Sequence, residues 1–364
     1  MREKTYFENL DGLRAIAAIA VMLYHITSYL PFPDTQLGEY LSCYLGFNGS
    51  GGYFGVVFFF ILSGFLITYL LFEERENSGK IRLRAFYMRR LLRIWPLYYL
   101  SLLVGFYFYP LLDHTHVETA SLYYYALFAA NFDHIWNGTT TLGILGVQWS
   151  VAVEEQFYLL WPLLFLIRKS WVQCGLFILI TLFSEIFYLN QSEWELGYFH
   201  FFAAIRFLSF GAIVGYLAFY KLHWITWVFM RIPKQMIFVV YGLALSFLFM
   251  RKTWISQDEF SLLTIDLVIL FFFAFVILEQ CYSKRSVFKM SRSKMLGWVG
   301  RRSYGVYLMH MMSLYFVVKG MEWLGVYDFW LVAIGTVALT LLGSHLSFVY
   351  FEGYFLKLKT RFRP

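Results

Sequence analysis

The chain has 364 residues, 60% of them hydrophobic and 15% charged, with a net charge of +7 and a mean hydropathy of +0.59. A soluble domain of this length would carry about 25% charged residues. The composition therefore excludes an ordinary soluble enzyme and makes a nucleic-acid partner an unneeded explanation of the positive charge, which the excess of Lys and Arg in cytoplasmic loops of membrane proteins accounts for.

Apolar runs recur from end to end, and a run of about 18 residues or more reads as a transmembrane helix. Ten spans are predicted, over 10–30, 53–72, 94–112, 149–167, 172–189, 201–220, 236–250, 262–281, 303–319 and 328–351. The fold class expected is an all-α polytopic transmembrane bundle. Charged residues precede the first run without a small-residue cleavage site after it, so the first helix is expected to stay in the mature protein. The segment 113–148, with its aromatic stretch "SLYYYALFAANF", is broken by polar residues and glycines and reads as a loop dipping into the outer interface. With the N-terminus inside, 25 of the 30 Lys and Arg fall in the cytoplasmic segments. Counting 113–148 as an eleventh crossing would invert every later loop. Both ends are thus expected in the cytoplasm, with residues 1–364 forming one integral-membrane domain and no C-terminal soluble domain. Cys43, Cys174 and Cys281 show neither metal nor disulfide spacing, and no histidine motif suggests a metal.

Ionisable groups in lipid-buried segments are costly and mark candidate functional sites. Those within or bordering the spans are Arg14, His25, Glu154, Glu155, Arg206, Asp266, Glu279, His310, Lys319, His345 and Glu352. In "LDGLRAIAAIAVMLYHI" (10–26), Arg14 and His25 are eleven residues apart, about three turns, which places them on one face about 16 Å apart along the axis. Such a face suits a cavity through the membrane; hydrogen bonding within the bundle is the alternative. In "VQWSVAVEEQFYLLWPLL" (147–164), Ser150, Glu154, Phe157, Tyr158 and Trp161 share a helix face. Glu154 and Glu155 fall at a depth similar to His25, and a carboxylate there could fix the imidazole tautomer. In "RLRAFYMRRLLRIWPLYY" (82–99), Arg89, Arg90 and Arg93 cluster at the cytoplasmic head of a span. Their charge fits either anchoring to anionic headgroups or a clamp on phosphate oxygens.

These stretches together resemble the acyltransferase-3 family of membrane-bound O-acyltransferases, over nearly the whole chain. "LDGLRAIAAIAVMLYH" is similar to the family's opening motif, in which an arginine or lysine precedes a histidine. "GYFGVVFFFILSGFLIT" (52–68) resembles its second-helix signature. "FYMRRLLRIWPLYY" carries the R-x-x-R of Arg90 and Arg93. "WSVAVEEQFYLLWPL", with Trp149 and Ser150, is the most specific match. "GRRSYGVYLMH" (300–310) and "LSFVYFEGYF" (346–355) resemble the late motifs, with Ser303, Tyr304, His310 and Glu352 at matching places. The late motif often continues "YLWHWP" and here reads "YLMHMM", which leaves the role of His310 open.

The resemblance implies transfer of an acyl group, most often acetyl from acetyl-CoA, to a hydroxyl of a surface glycan or glycoconjugate, in a bacterial inner membrane. Acyl-CoA would be a co-substrate, with no permanently bound cofactor. The other partners implied are a carbohydrate acceptor and membrane lipids, not nucleic acid. His25 would be the catalytic histidine and Arg14 its motif partner. Arg90 and Arg93, with Arg89 beside them, would hold the donor. Glu154 would orient His25, with Glu155, Trp149, Ser150, Tyr304, His310, Arg206 and Glu352 in support. Many relatives carry an extracytoplasmic hydrolase-like domain, which is not expected here. Two other readings remain at this level: a transporter with an intramembrane His/Glu/Arg relay, and an acyltransferase for a lipid or small molecule. Acceptor choice would lie in loops 31–52, 113–148 and 190–200.

Overall fold

The long apolar runs form helices because lipid offers the backbone no partner and each N–H and C=O must be satisfied within the segment. A computed structural model describes residues 6–30, 51–114, 118–254, 259–326 and 328–362, with side chains described outside 248–262. Every regular element among these residues is helical.

In chain order the helices are α1 (Glu8–Tyr29), α2 (Gly51–Ser78) and α3 (Leu83–Leu112), the last containing a π-helical turn at Val104–Phe108. The short α4 (Leu122–Ala126) and α5 (Ala130–Asn137) follow, then α6 (Gln148–Leu160), which tightens into a 3₁₀ turn at Trp161–Leu166 where Pro162 enters. Next come α7 (Ser170–Leu189), α8 (Trp194–Phe199), α9 (Phe201–Tyr220), α10 (Leu222–Arg231), α11 (Lys234–Trp254) and α12 (Glu259–Tyr282). The chain closes with α13 (Lys294–Arg301), α14 (Ser303–Trp323), α15 (Phe329–Leu346), a π-helical turn (Ser347–Glu352) and α16 (Gly353–Lys359).

Among the described residues, seven helices are long and apolar enough to cross a membrane. They coincide with the predicted spans that begin at 10, 53, 94, 172, 201, 262 and 328. An eighth arises if α10 and the start of α11, bent by 97°, count as one span. The predicted spans 149–167 and 303–319 coincide with α6 and α14, which are helical but outside that set. Boundaries move in several places: α3 starts at Leu83, not near 94, because nothing in the basic stretch breaks the helix, α2 runs on past 72 to Ser78, and the last helical run passes 351 to reach Phe362. Among its described residues, the segment 113–148 before α6 holds two short helices, of 5 and 8 residues, far below the ~20 residues a crossing needs. Cys43 and most of loop 31–52 lie outside the described residues.

Glycines set the helix spacing that builds the site. A Cβ at Gly64 of α2 would collide with the Leu208 carbonyl of α9, and one at Gly211 of α9 with the Ile61 carbonyl of α2. Without a hydrophobic drive between helices in lipid, such close backbone approach is what holds neighbours together. On the other side, a Cβ at Gly55 of α2 would lie 2.8 Å from the Ala17 carbonyl of α1, and one at Gly300 of α13 would strike the Asp11 carbonyl. Thus α1, with Arg14 and His25, is seated between α2 and α13.

Candidate active site: two cavities sharing a wall

Two cavities meet inside the bundle. The first, of about 430 Å³, is basic: Arg14, Arg90, Arg93, Arg301 and Lys359 line it, against Asp11 and Glu154 as the carboxylates among the described lining residues. The second, of about 480 Å³, is aromatic, with Tyr24, Tyr53, Trp149, Trp194 and Tyr198 in its lining and His25 at its edge. Val56, Phe60 and Tyr307 line both cavities and form the wall between them. Ser150 faces the basic side and is 2.6 Å from the Tyr307 hydroxyl.

In the basic cavity, Arg14 donates from Nη1 to Asp11 Oδ1 at 2.7 Å. Asp11 also accepts from the Tyr6 hydroxyl. Burial and the Asp11 carboxylate push the Tyr6 phenol up to about 12, so it stays a donor at neutral pH. Arg90 lies 5.7 Å over Phe86 and 5.5 Å over Tyr158, and its Nε is buried without a hydrogen-bond partner. Arg93 makes no hydrogen bond or ion pair with any described residue. A cavity with this excess of guanidinium groups, one of them with an unsatisfied donor, suits a polyanion carrying phosphate oxygens.

Arg89 does not line the cavity. It donates from Nη2 to Glu74 Oε2 at 2.7 Å and from Nη1 to the Phe362 carbonyl at 2.9 Å. Adjacent helix positions point about 100° apart, so Arg89 turns away from its neighbour Arg90 and ties α3 to α2 and the chain's last turn. In this arrangement Arg89 is a tie between helices and does not join Arg90 and Arg93 in the cavity lining.

The expected contact between Glu154 and His25 is not formed. Glu154 accepts from Ser63 Oγ at 2.7 Å and from the Tyr158 hydroxyl at 3.1 Å, and faces the basic cavity, while His25 faces the aromatic one. The group beside His25 is His310: His310 Nε2 lies 3.1 Å from His25 Nδ1. His25 Nδ1 is also 2.9 Å from the Val21 carbonyl. A carbonyl only accepts, so Nδ1 of His25 carries the proton and its Nε2 keeps a bare lone pair. That nitrogen has no hydrogen-bond partner among the described residues. An imidazole with an unprotonated nitrogen on a cavity can accept a proton or act as a nucleophile.

The remaining predicted residues divide between these sites and the scaffold. Trp149 lines the aromatic cavity, 5.1 Å from the Tyr198 ring. Tyr304 lines the basic cavity and donates to the Ile94 carbonyl at 2.8 Å. Arg206 borders the aromatic cavity but is held by Asp266 at 3.1 Å and Glu185 at 3.5 Å. Glu155 lines neither cavity and accepts from Trp95 Nε1 at 2.9 Å. Glu352 likewise stands behind the lining, accepting from Ser347 Oγ at 3.0 Å. Asp11, Arg301 and Lys359 were not singled out from the sequence. Arg301 stands beside the "RSYGVYLMH" stretch, but only the packing of α13 on α1 turns it toward Arg14 and Arg93. No group of His, Cys, Asp and Glu suited to a metal occurs among the described residues.

The family model described as an acyltransferase domain matches residues 7–349, and the chain belongs to the acyltransferase-3 family. Among curated proteins it is similar to the peptidoglycan O-acetyltransferase OatA of Listeria monocytogenes, at 26% identity over 96% of this chain and 56% of that protein. A protein of Staphylococcus aureus named "Putative O-acetyltransferase" is 26% identical over 98% of this chain and 58% of its own length. The "Putative peptidoglycan O-acetyltransferase" YrhL of Bacillus subtilis is 32% identical over 43% of this chain and 23% of its own. The chain thus spans a little over half the length of the first two. No solved structure matches it. Family membership sets the transporter reading aside.

Proposed function

We propose that the protein is a membrane-embedded O-acyltransferase that moves an acetyl or other short acyl group from acyl-CoA to a hydroxyl of a cell-wall or surface glycan. The observation that carries this reading is the pair of cavities with a common wall, one lined by five cations and the other lined by His25, whose Nε2 has no hydrogen-bond partner among the described residues. The phosphates of CoA would rest on Arg90, Arg93 and their neighbours, with the pantetheine arm reaching the wall. The acceptor would enter the aromatic cavity, where Trp149, Trp194 and Tyr198 offer flat apolar faces to sugar rings.

His25 Nε2 takes the proton of the acceptor hydroxyl as its oxygen attacks the thioester carbonyl. The carbon–sulfur bond breaks and the CoA thiolate recovers the proton, leaving an ester and CoA–SH. General base catalysis of this kind contributes typically ~10²–10⁴-fold. The bundle would cross an inner (plasma) membrane ten times, α6, α14 and the bent α10–α11 pair completing the count, with both ends and the basic cavity on the cytoplasmic side. That orientation agrees with the positive-inside bias of the loops. The glycan acceptor is favoured by the relatives named for peptidoglycan O-acetylation.

The test is calorimetric titration of the purified protein with acetyl-CoA, wild type beside the Arg90→Ala, Arg93→Ala double variant. It is followed by transfer of radiolabelled acetyl to isolated cell-wall glycan by wild type and His25→Ala. Saturable binding lost in the double variant, and transfer lost in His25→Ala with binding intact, are expected. No binding of any acyl-CoA by folded wild type would overturn the donor assignment.

A further inference from the structure

We propose that His310 is a positioning residue for His25, the two rings forming a histidine–histidine dyad in which a neutral imidazole fills the place a carboxylate fills in acid–base triads. The proposal rests on the reading of His25 as the base. His310 sits on α14 and His25 on α1, 285 residues apart in sequence, with ring centroids 5.0 Å apart and tilted by 46°. Both side chains are buried, at 1% and 7% exposure.

The hydrogen bonds of the two rings have one consistent solution. His310 Nδ1 is 2.6 Å from the Tyr307 carbonyl, which can only accept, so the proton of neutral His310 is on Nδ1 and its Nε2 is bare. That bare nitrogen faces His25 Nδ1, which carries a proton because the Val21 carbonyl also claims it. The chain of donors therefore runs from His25 Nδ1–H to His310 Nε2, and from His310 Nδ1–H to Tyr307. It leaves His25 Nε2 as the one unprotonated position open to a ligand. When Nε2 takes a proton from the acceptor hydroxyl, the positive charge spreads over the His25 ring, and His310 Nε2 accepts a charge-assisted hydrogen bond from it. No second proton transfer is needed, because His310 Nδ1 keeps its proton on Tyr307. Glu154, expected to play this part, is engaged on the far side of the wall by Ser63 and Tyr158.

The same geometry gives Tyr307 two functions. Its carbonyl fixes the His310 tautomer, and its hydroxyl, 2.6 Å from Ser150 Oγ, stands in the wall between the cavities. His310 is thus anchored to α14, which contributes Tyr307 to the wall beside Val56 and Phe60 of α2, so a shift of α14 would disturb that part of the wall and the base together.

Two polar replacements separate positioning from packing. The amide of His310→Asn reaches only as far as Nδ1, keeping the bond to Tyr307 and losing the one to His25. The amide of His310→Gln extends to the position of Nε2 and can accept from His25. The first readout is carbethoxylation of His25 by diethyl pyrocarbonate, followed by peptide mass spectrometry, with the exposed His223 as internal reference. This reads the ring whether or not the acceptor is in hand. His310→Asn is expected to slow labelling of His25 about tenfold, roughly one hydrogen bond to a charged group, with His223 unchanged and His310→Gln recovering most of the rate. The second readout is steady-state transfer, where kcat should fall ~10- to 100-fold in His310→Asn with KM for acetyl-CoA unchanged, and recover in His310→Gln. Wild-type labelling of His25 in both variants, each melting as wild type does, would overturn the dyad. A folded wild type showing the expected labelling pattern but no acyl-CoA turnover would instead overturn the proposed function and leave the dyad standing.

Discussion

Arg89 and Arg93 lie one turn apart on α3 and carry the same charge, yet the structure gives them separate duties. Removing each in turn is a controlled experiment. Arg93 faces the basic cavity and makes no hydrogen bond or ion pair with a described residue, so Arg93→Ala breaks nothing in the free protein. It should cost the donor one charge-assisted contact, about 1.5–3 kcal/mol, a rise in acyl-CoA Kd of roughly 10- to 150-fold. The melting temperature should hardly move. Arg89→Ala leaves Glu74, 5% exposed, with its Oε2 unpaired, while Oε1 still accepts from the Arg82 backbone N–H at 3.0 Å. It also frees the Phe362 carbonyl. Stranding that buried carboxylate oxygen should destabilise the fold by about 1–3 kcal/mol with less than a threefold change in Kd. Calorimetry with acetyl-CoA and a thermal melt in the same detergent measure both quantities. Equal loss of affinity in the two variants would refute the reasoning, because bulk positive charge, not a built site, would then be holding the ligand.

Glu154→Gln should leave carbethoxylation of His25 within twofold of wild type, since the carboxylate contacts Ser63 and Tyr158 and not the imidazole; a tenfold change would restore the pairing expected from sequence. Gly64→Leu should abolish recovery of folded protein, as its side chain must displace the Leu208 backbone, whereas Gly175→Ala, with open space around it, should gain about 0.5–1 kcal/mol; size-exclusion profiles and melts in detergent decide both. Asp11→Ala should weaken donor binding less than Arg14→Ala, because it frees the Arg14 guanidinium for a phosphate even as it loosens it; acetyl-CoA titration of the two variants gives the order.

Most of the helices were legible because lipid imposes a single rule, long apolar runs, and the runs that became α1, α2, α7, α9 and α12 obey it closely. Arg14 and His25 were legible as a pair on one face for the same reason: helical spacing alone carries that information. What spacing cannot carry is the register of one helix against another. Glu154 and His25 fall at similar depth on paper, but the close glycine contacts that set α2 against α1 and α9 leave α2 side chains, Val56 and Phe60 among them, between the two cavities. His310, 285 residues away in sequence, takes the place beside the imidazole. Arg301 and Lys359 belong to terminal turns whose direction is fixed only by packing, so their charge was visible and their destination was not. Arg89 shows the reverse case: a cluster of three arginines invites one role for all, and a 100° turn between neighbours divides them.

The wall of Val56, Phe60 and Tyr307 also has an electrical meaning. Where two pockets approach from opposite faces, the insulating thickness of the bilayer shrinks to a few side chains, and the membrane voltage falls across that short distance. Carrying a unit charge over it takes about 2.3 kcal/mol per 100 mV. In the proposed orientation the acyl group crosses as a neutral fragment while the phosphates stay behind on their arginines, so transfer does no work against the voltage. In that reading two apolar side chains and a phenol would be the barrier to this traffic, passing a short carbon chain while offering an ion nothing to replace its water.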